Sequence, residues 1–266
     1  RVNASSTIYS ATDSIVHGNG SWYHVAVTIN SSGSVTFYVN GEQSGTPAST
    51  SALSGITTTT DLRIGNASSG TANTFDGFID EPKIYNYVRT AAQIKAGYLA
   101  GLSGSSEGVS ASLGGNTQNQ SEGLVGYWSM DETSWDGTAS EVVDSSGNGN
   151  HGTSYGSMTT TGTAKFGMAG DFDKIDDYIN VADDNTLDLT NELTFAAWVN
   201  IGTPGNYSVV NKFSGGYSGY RYGIISGYLK LEYGNSSGGL EDANKSGLTF
   251  NSGYNHIQIT PDTEVM

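Results

Sequence analysis

Residues 22–42, WYHVAVTINSSGSVTFYVNGE, contain two runs of alternating apolar and polar side chains separated by the turn-forming residues NSSG. Alternation with a period of two puts the apolar side chains on one face of an extended chain, which is typical of a half-buried β-strand. Similar runs follow in DLRIG, GFIDEPKIYN, GLVGYWSM, DYINV, LTFAAWVN, YSVVNK, YGIISGYLKLEY and YNHIQIT. The sequence therefore predicts an all-β sandwich.

One segment departs from the strand pattern. Residues 89–101, RTAAQIKAGYLAG, are rich in residues that favour a helix. A threonine hydroxyl can cap the first turn of a helix, and glycine commonly ends one. We therefore expect a single short helix with Thr90 as its N-cap and Gly101 as its terminator.

The composition narrows the class of partner. The chain has 266 residues with no cysteine, which excludes disulfides and thiol chemistry, and its 26 acidic and 11 basic residues give a net charge of -15. This charge argues against nucleic acid or an anionic membrane surface as partner, because both require clustered Lys and Arg. No apolar run is long enough to insert into a membrane. The chain begins with Arg1 and ends within a strand-like pattern, so we expect both ends to be cut from a longer protein.

A change in composition divides the chain. Residues 101–123, GLSGSSEGVSASLGGNTQNQSEG, contain few apolar side chains and are interpreted as a linker between residues 1–100 and residues 124–266. The run WYHVAVT around His24 is similar to YNHIQIT around His256, which indicates slightly more than one period of a tandem array.

The two halves resemble the laminin G-like, concanavalin A-like jelly rolls of secreted microbial proteins. Residues 123–132, the Gly/Asn loop VVDSSGNGNHGT (residues 142–153) and residues 169–200 resemble the start of such a domain. Residues 22–42 and 75–94 resemble its end. The resemblance implies a two-sheet antiparallel jelly-roll sandwich in an extracellular or cell-surface protein, with the two halves of the domain in swapped order.

Swapped halves allow two arrangements. The chain could hold two incomplete domains, or the halves could pair through the linker into one circularly permuted sandwich. Half a sandwich exposes an apolar face and unpaired edges, whereas the entropy of closing a linker grows only slowly with its length. We favour the permuted single domain for this chain, while in a longer parent protein each half would complete a neighbouring copy.

Calcium is the metal that the sequence favours. It prefers six to eight oxygen ligands, and glycine lets a loop wind closely around it. The Gly/Asn loop supplies the Asp144 carboxylate and the Asn148 and Asn150 amides. The resemblance places this loop beside the closing strand, so Asp80 and Glu81 are expected to complete a structural Ca²⁺ site. A pair of plain turns is the alternative interpretation of the loop.

Catalysis is not expected. Glycoside hydrolysis needs two facing carboxylates, and the sequence has no strand of alternating acids to supply them. The four histidines fall in predicted strands or loops. The alternation in LTFAAWVN assigns Trp198 to the core.

Three aromatic side chains are candidates for stacking on a sugar. Tyr217 and Tyr220 lie in the glycine-rich stretch FSGGYSGYRYG, and Trp135 in TSWDG follows no strand pattern. We therefore expect a non-catalytic extracellular binding module with carbohydrate or another cell-surface ligand as partner. The alternative is a structural spacer or adhesion unit of a tandem-repeat surface protein.

Overall fold

A computed structural model describes residues 18–49, 58–66, 73–102, 121–214, 218–225, 227–234 and 240–243. Within these residues the chain forms fifteen strands, one α-helix and a 3-10 turn at Asn185–Leu187. The strands are β1 (Tyr23–Ile29), β2 (Ser34–Val39), β3 (Glu42–Ser49), β4 (Leu62–Ile64), β5 (Asp76–Tyr85), β6 (Leu124–Tyr127), β7 (Gly152–Tyr155), β8 (Thr159–Thr161), β9 (Ala169–Asp173), β10 (Tyr178–Val181), β11 (Leu193–Ile201), β12 (Tyr207–Ser214), β13 (Ser218–Ile225), β14 (Tyr228–Gly234) and β15 (Leu240–Ala243). The helix, α1, spans Ala91–Leu102.

The strands are arranged in two antiparallel sheets. In the described part of the chain, one sheet has eight strands in the order β3-β2-β1-β11-β5-β9-β8, with β6 also paired to β5. The other has seven strands in the order β15-β14-β13-β12-β4-β10-β7. The predicted two-sheet antiparallel sandwich is confirmed.

The hydrophobic core lies between the two sheets. Alternate residues of β1 and β11, such as Val25, Val27 and Phe195, are fully or almost fully buried. The Phe195 ring meets Tyr220 and Tyr222 of the other sheet, with ring centroids 5.2 and 5.9 Å apart. Interdigitation of this kind is how stacked sheets fill the space between them.

Strands from both halves of the chain share both sheets. β1 and β5 pair with the two sides of β11, so Val27 lies opposite Phe195 and Ile79 opposite Val199. In the other sheet β4 pairs with β10 and β12. The circularly permuted domain stays a prediction, and its test follows from these pairings.

The helix has the predicted start but not the predicted end. The Thr90 hydroxyl accepts from the Gln93 N–H, and the Gln93 side chain accepts in return from the Thr90 N–H, which is a capping box. Gly101 lies inside the helix and does not terminate it. A Cβ at this position would lie 2.0 Å from Cζ2 of Trp198, so glycine is needed for close packing of the helix on β11.

Parts of the sequence predictions fall outside the described residues. These include most of the predicted linker, at residues 103–120, and the whole of the second repeat strand YNHIQIT with His256. Among the described residues, no helix is long and apolar enough to cross a membrane.

Candidate functional site

A pocket opens on the outer face of the eight-stranded sheet, on the side away from the core. It has a volume of about 540 Å³ and is bounded by β1, β5, β6, β11, α1 and nearby loops. The helix covers part of this face, with Ile94 packed against Ala26, Tyr38 and Ala196. The volume is within the usual range for small-ligand sites.

Aromatic side chains form the floor of the pocket. Trp198 is 3% exposed and is surrounded by the rings of His24, Tyr98 and Phe166, with centroids 5.3, 5.7 and 6.2 Å away. The Lys165 ammonium lies 4.4 Å from the centre of the Trp198 ring, in a cation–π contact. The floor is therefore apolar with a positive charge at its edge.

A β-bulge shapes the wall of the pocket. Lys83 lies opposite Ala196 and Asp80 opposite Trp198, so β5 has one more residue than β11 in this interval. Glu81 within the bulge has φ of 57°, a left-handed conformation that is uncommon for a residue with a side chain. Bulges often redirect side chains at functional sites, and this one places Glu81 beside Lys83 at the pocket.

Glu81, Lys83 and Tyr127 form a polar network on this wall. Lys83 Nζ donates to Glu81 Oε2 at 2.5 Å, and the Tyr127 hydroxyl donates to Glu81 at 2.9 Å. The ammonium of Lys83 also lies 4.3 Å from the centre of the Tyr127 ring. Glu81 thus accepts hydrogen bonds from two donors. Because Glu81, Lys83 and Tyr127 all line the pocket, its wall presents both acceptor and donor groups.

Two buried groups near the floor have strongly shifted pKa values. Burial, followed by the charges of Lys83 and Arg89, lowers the pKa of His24 to about 3, so the imidazole is neutral at physiological pH. Burial is also the main cause that raises the pKa of Asp80 to about 8. Asp80 Oδ2 accepts hydrogen bonds from the backbone N–H groups of Lys165 and Phe166, at 3.0 and 2.8 Å. These bonds fix the loop that carries Phe166 into the pocket.

The Gly/Asn loop is organised by hydrogen bonds to Asp144. Oδ1 accepts from the N–H groups of Tyr127 and Ser146, both at 2.9 Å. Oδ2 accepts from the Ser146 hydroxyl at 2.8 Å and from the Asn150 N–H at 2.9 Å. Each carboxylate oxygen offers about two lone pairs, so these four donors saturate Asp144 and leave no position for a cation.

The two loop asparagines also use their amides to hold the chain. The Asn150 amide nitrogen donates to the Val125 carbonyl at 2.8 Å and to the Thr186 hydroxyl at 2.9 Å. The Asn148 amide nitrogen donates to the Leu124 carbonyl at 3.0 Å. The loop is therefore fastened to β6 by its own side chains.

The three acidic residues among the predicted calcium ligands do not form one cluster. The part of the chain that the structure describes has a single group of three or more acidic or histidine side chains with ligand atoms within 4.8 Å of one another, and it does not include Asp80, Glu81 or Asp144. Asp144 is saturated, and Glu81 pairs with Lys83. The three predicted acidic ligands therefore do not meet around one position in this structure, and a calcium ion at the Gly/Asn loop stays a prediction beside the alternative of plain turns.

Two of the three rings predicted to stack on a sugar lie in the described residues, and both are buried. Tyr220 is fully buried, and its hydroxyl donates to the Leu187 carbonyl. Trp135 is 6% exposed and donates to Glu132. Both belong to the core. Tyr220 is buried through the apolar alternation of β13, and Trp135 is buried by contact with the sandwich. Tyr217 lies outside the described residues.

The sequence did not predict the pocket, although the position of Trp198 in β11 gave an indication of it. In LTFAAWVN, the inward residues of β11 include Phe195, Ala197 and Val199, so Trp198 falls in the alternate set with Thr194 and Ala196. Trp198 is buried as expected, but on the outer face under α1. A large aromatic among small and polar residues on the outward face indicates a covered or ligand-binding surface.

Two antiparallel sheets packed face to face, with a ligand-sized pocket on one outer face, define a jelly-roll binding module in general terms. Residues 1–95 match a laminin G family model described as the concanavalin A-like lectin/glucanases superfamily. The resemblance predicted from the sequence is confirmed over this part of the chain. Comparisons with curated proteins and with solved structures give no match.

Proposed function

We propose that the protein is a non-catalytic extracellular module that binds carbohydrate in the pocket on the outer face of the eight-stranded sheet. The observation that carries the proposal is the make-up of this pocket. Its floor is aromatic, through Trp198 and Phe166, and its walls present acceptors such as Glu81 and Asp131 together with donors such as Lys83.

This combination suits a sugar for two physical reasons. The C–H faces of a pyranose ring are apolar and pack against aromatic side chains. Its hydroxyl groups both donate and accept, so a complementary site needs acids and amides beside bases and hydroxyls. Gln93 of α1 and Ser129 after β6 add groups of this second kind to the pocket.

The pocket carboxylates support binding without hydrolysis. Glycoside hydrolysis uses one carboxyl group as acid and a second as base or nucleophile. Glu81 is held by Lys83 and Tyr127, and Asp131 Oδ1 accepts the Met168 N–H at 2.9 Å. We expect no release of reducing ends from polysaccharides that bind, and release that is lost in an E81Q variant would instead favour a glucanase.

The proposed location is extracellular or on a cell surface. Laminin G-like domains are typically extracellular, and the net charge of -15 fits neutral polymers better than anionic surfaces. The partners would be carbohydrates of a cell surface or matrix and the neighbouring domains of a longer parent protein.

The experiment uses Gly97 of α1, which lines the pocket. A Cβ at this position would lie 3.9 Å from Nε2 of His24, an ordinary contact, so Gly97→Ala is a matched control that leaves the pocket open. Gly97→Phe places a ring in the pocket. A glycan array followed by calorimetry on the best sugar should show binding by the wild type and G97A, and at least tenfold weaker binding by G97F.

Two results would overturn the proposal. A sugar that binds G97F as tightly as G97A does not use this pocket. If no glycan binds any variant, the spacer or adhesion unit becomes the better description of the protein.

A further inference from the structure

Three acidic side chains gather where the chain turns from β9 into β10, between residues 173 and 177. Asp173 ends β9, and Asp176 and Asp177 immediately precede β10. One carboxylate oxygen from each of the three lies within 4.8 Å of the others. Asp173 and Asp176 are exposed, whereas Asp177 is 3% exposed.

Asp177 differs from Asp144 in having an unused oxygen. Its Oδ2 accepts the Asp173 N–H at 2.9 Å. Its Oδ1 is buried and has no hydrogen-bond partner. A buried carboxylate oxygen without a donor is costly, so such an atom calls for a proton or a cation.

The charges around this cluster are unbalanced. Of the ion pairs formed among the described residues, none includes Asp173, Asp176 or Asp177. The nearest lysine in sequence, Lys174, is directed to Thr203 and Asp76 instead. Burial, followed by the charges of neighbouring acids, raises the pKa of Asp177 to about 7.

The turn between β7 and β8 presses against the same cluster. A Cβ on Gly156, which has φ of 88°, would lie 2.5 Å from Asp177 Oδ1 and 2.7 Å from the Asp176 carbonyl oxygen. Glycine is therefore required at this approach, and the two turns meet at the acidic cluster. An ion at this place would join them.

We propose that Asp173, Asp176 and Asp177 form a structural site for a hard divalent cation, with Ca²⁺ as the best match. The donors are carboxylate oxygens without His or Cys, which favours calcium over zinc. Three carboxylates supply part of its coordination, and main-chain carbonyls and water complete it. The site is separate from the sugar pocket, so it does not rest on the proposed function.

Terbium luminescence tests the site directly. Tyr155 and Tyr178 stack with ring centroids 4.9 Å apart, and they are the chain neighbours of Gly156 and Asp177. Tb³⁺ bound at the cluster should therefore luminesce on tyrosine excitation, and Ca²⁺ should displace it in a saturable way. No luminescence at millimolar Tb³⁺, or luminescence that Ca²⁺ does not reduce, would overturn the proposal.

A matched pair of variants locates the ion. Asp176 is exposed and Glu122 is an exposed acid elsewhere, so D176N and E122Q remove the same charge at two places. Thermal unfolding in EDTA and in Ca²⁺ at about 100 times its Kd should show a rise in midpoint of roughly 5 °C for the wild type and E122Q. D176N should bind Ca²⁺ at least tenfold more weakly, and equal shifts in both variants would contradict the assignment.

Asp177→Asn provides an independent readout. Removal of the unpaired buried charge should raise the midpoint of thermal unfolding in EDTA at pH 8. The further rise in this midpoint on addition of Ca²⁺ should disappear. A D177N protein that calcium still stabilises by the wild-type amount would contradict the site.

Discussion

Asp144 and Asp177 show how similar residues acquire different roles through the number of donors that reach them. Asp144 accepts four hydrogen bonds, whereas Asp177 Oδ1 accepts none. From the sequence, the Gly/Asn loop was the more persuasive calcium site because glycine and asparagine are common in such loops. The count of N–H groups around a carboxylate depends on backbone geometry, so the sequence could not distinguish the two.

The first prediction concerns Asp144 as a hydrogen-bond centre. Asp144→Ala leaves the buried Asn150 N–H without its acceptor and removes three further hydrogen bonds. We expect a loss of about 3 kcal/mol in the free energy of unfolding. Urea denaturation should give the same loss with EDTA and with Ca²⁺, and a loss seen only with Ca²⁺ would restore the metal to this loop.

The second prediction is a pH dependence set by His24. Its pKa is lowered to about 3 in the folded state, so between pH 6.5 and 3 the unfolded state binds more protons. Stability should therefore decrease as the pH falls through this window, by about 2 kcal/mol from this group at pH 5. His24→Gln should remove that part of the decrease between pH 7 and pH 5, and identical pH profiles for the two proteins would contradict the assignment.

At the scale of elements, strands with strong alternation were predictable and the edges were not. β1, β2 and β11 carry buried alternating side chains that the sequence displays. β3, EQSGTPAS, is an edge strand in which only Ser44 and Ala48 are buried, so it has no periodic signal. The bulge at Glu81 arises from the register between β5 and β11, which a single strand cannot reveal.

The third prediction compares two glycines of α1. Gly97→Ala meets no close atom and should stabilise the protein by about 0.5–1 kcal/mol, because alanine favours a helix. Gly101→Ala would place a Cβ 2.0 Å from the Trp198 ring. This substitution should lower the free energy of unfolding of the protein by roughly 1–3 kcal/mol. Thermal unfolding of both variants checks this order, and equal midpoints would show that the helix does not pack on β11 as described.

At the scale of the whole molecule, the pairing of β1 and β5 with β11 links the two halves of the chain. The pocket draws on both halves as well, since His24 and Glu81 precede the predicted linker and Trp198 follows it. The sandwich was predictable from alternation and from the resemblance. The pocket was not, because it depends on which strands become neighbours.

The fourth prediction follows from this pairing. A protease site inserted within residues 103–120 should allow cleavage without separation of the fragments, since parting them would expose the edges of β11 and an apolar sheet face. The cut protein should co-elute as one species in size-exclusion chromatography. Fragments that elute separately in native buffer would contradict the circularly permuted domain.

The most direct test of the central claim, that the outer-face pocket is the ligand site, is a sugar titration followed by ¹⁵N NMR of the tryptophan indole N–H groups. Trp198 lies on the floor of the pocket, whereas the indole N–H groups of Trp128 and Trp135 donate to Asn150 and Glu132 elsewhere. We predict that the indole signal assigned to Trp198 by its loss in a W198F variant shifts with the bound fraction of sugar, while those of Trp128 and Trp135 do not. Saturable binding that leaves the Trp198 signal unmoved would contradict the claim.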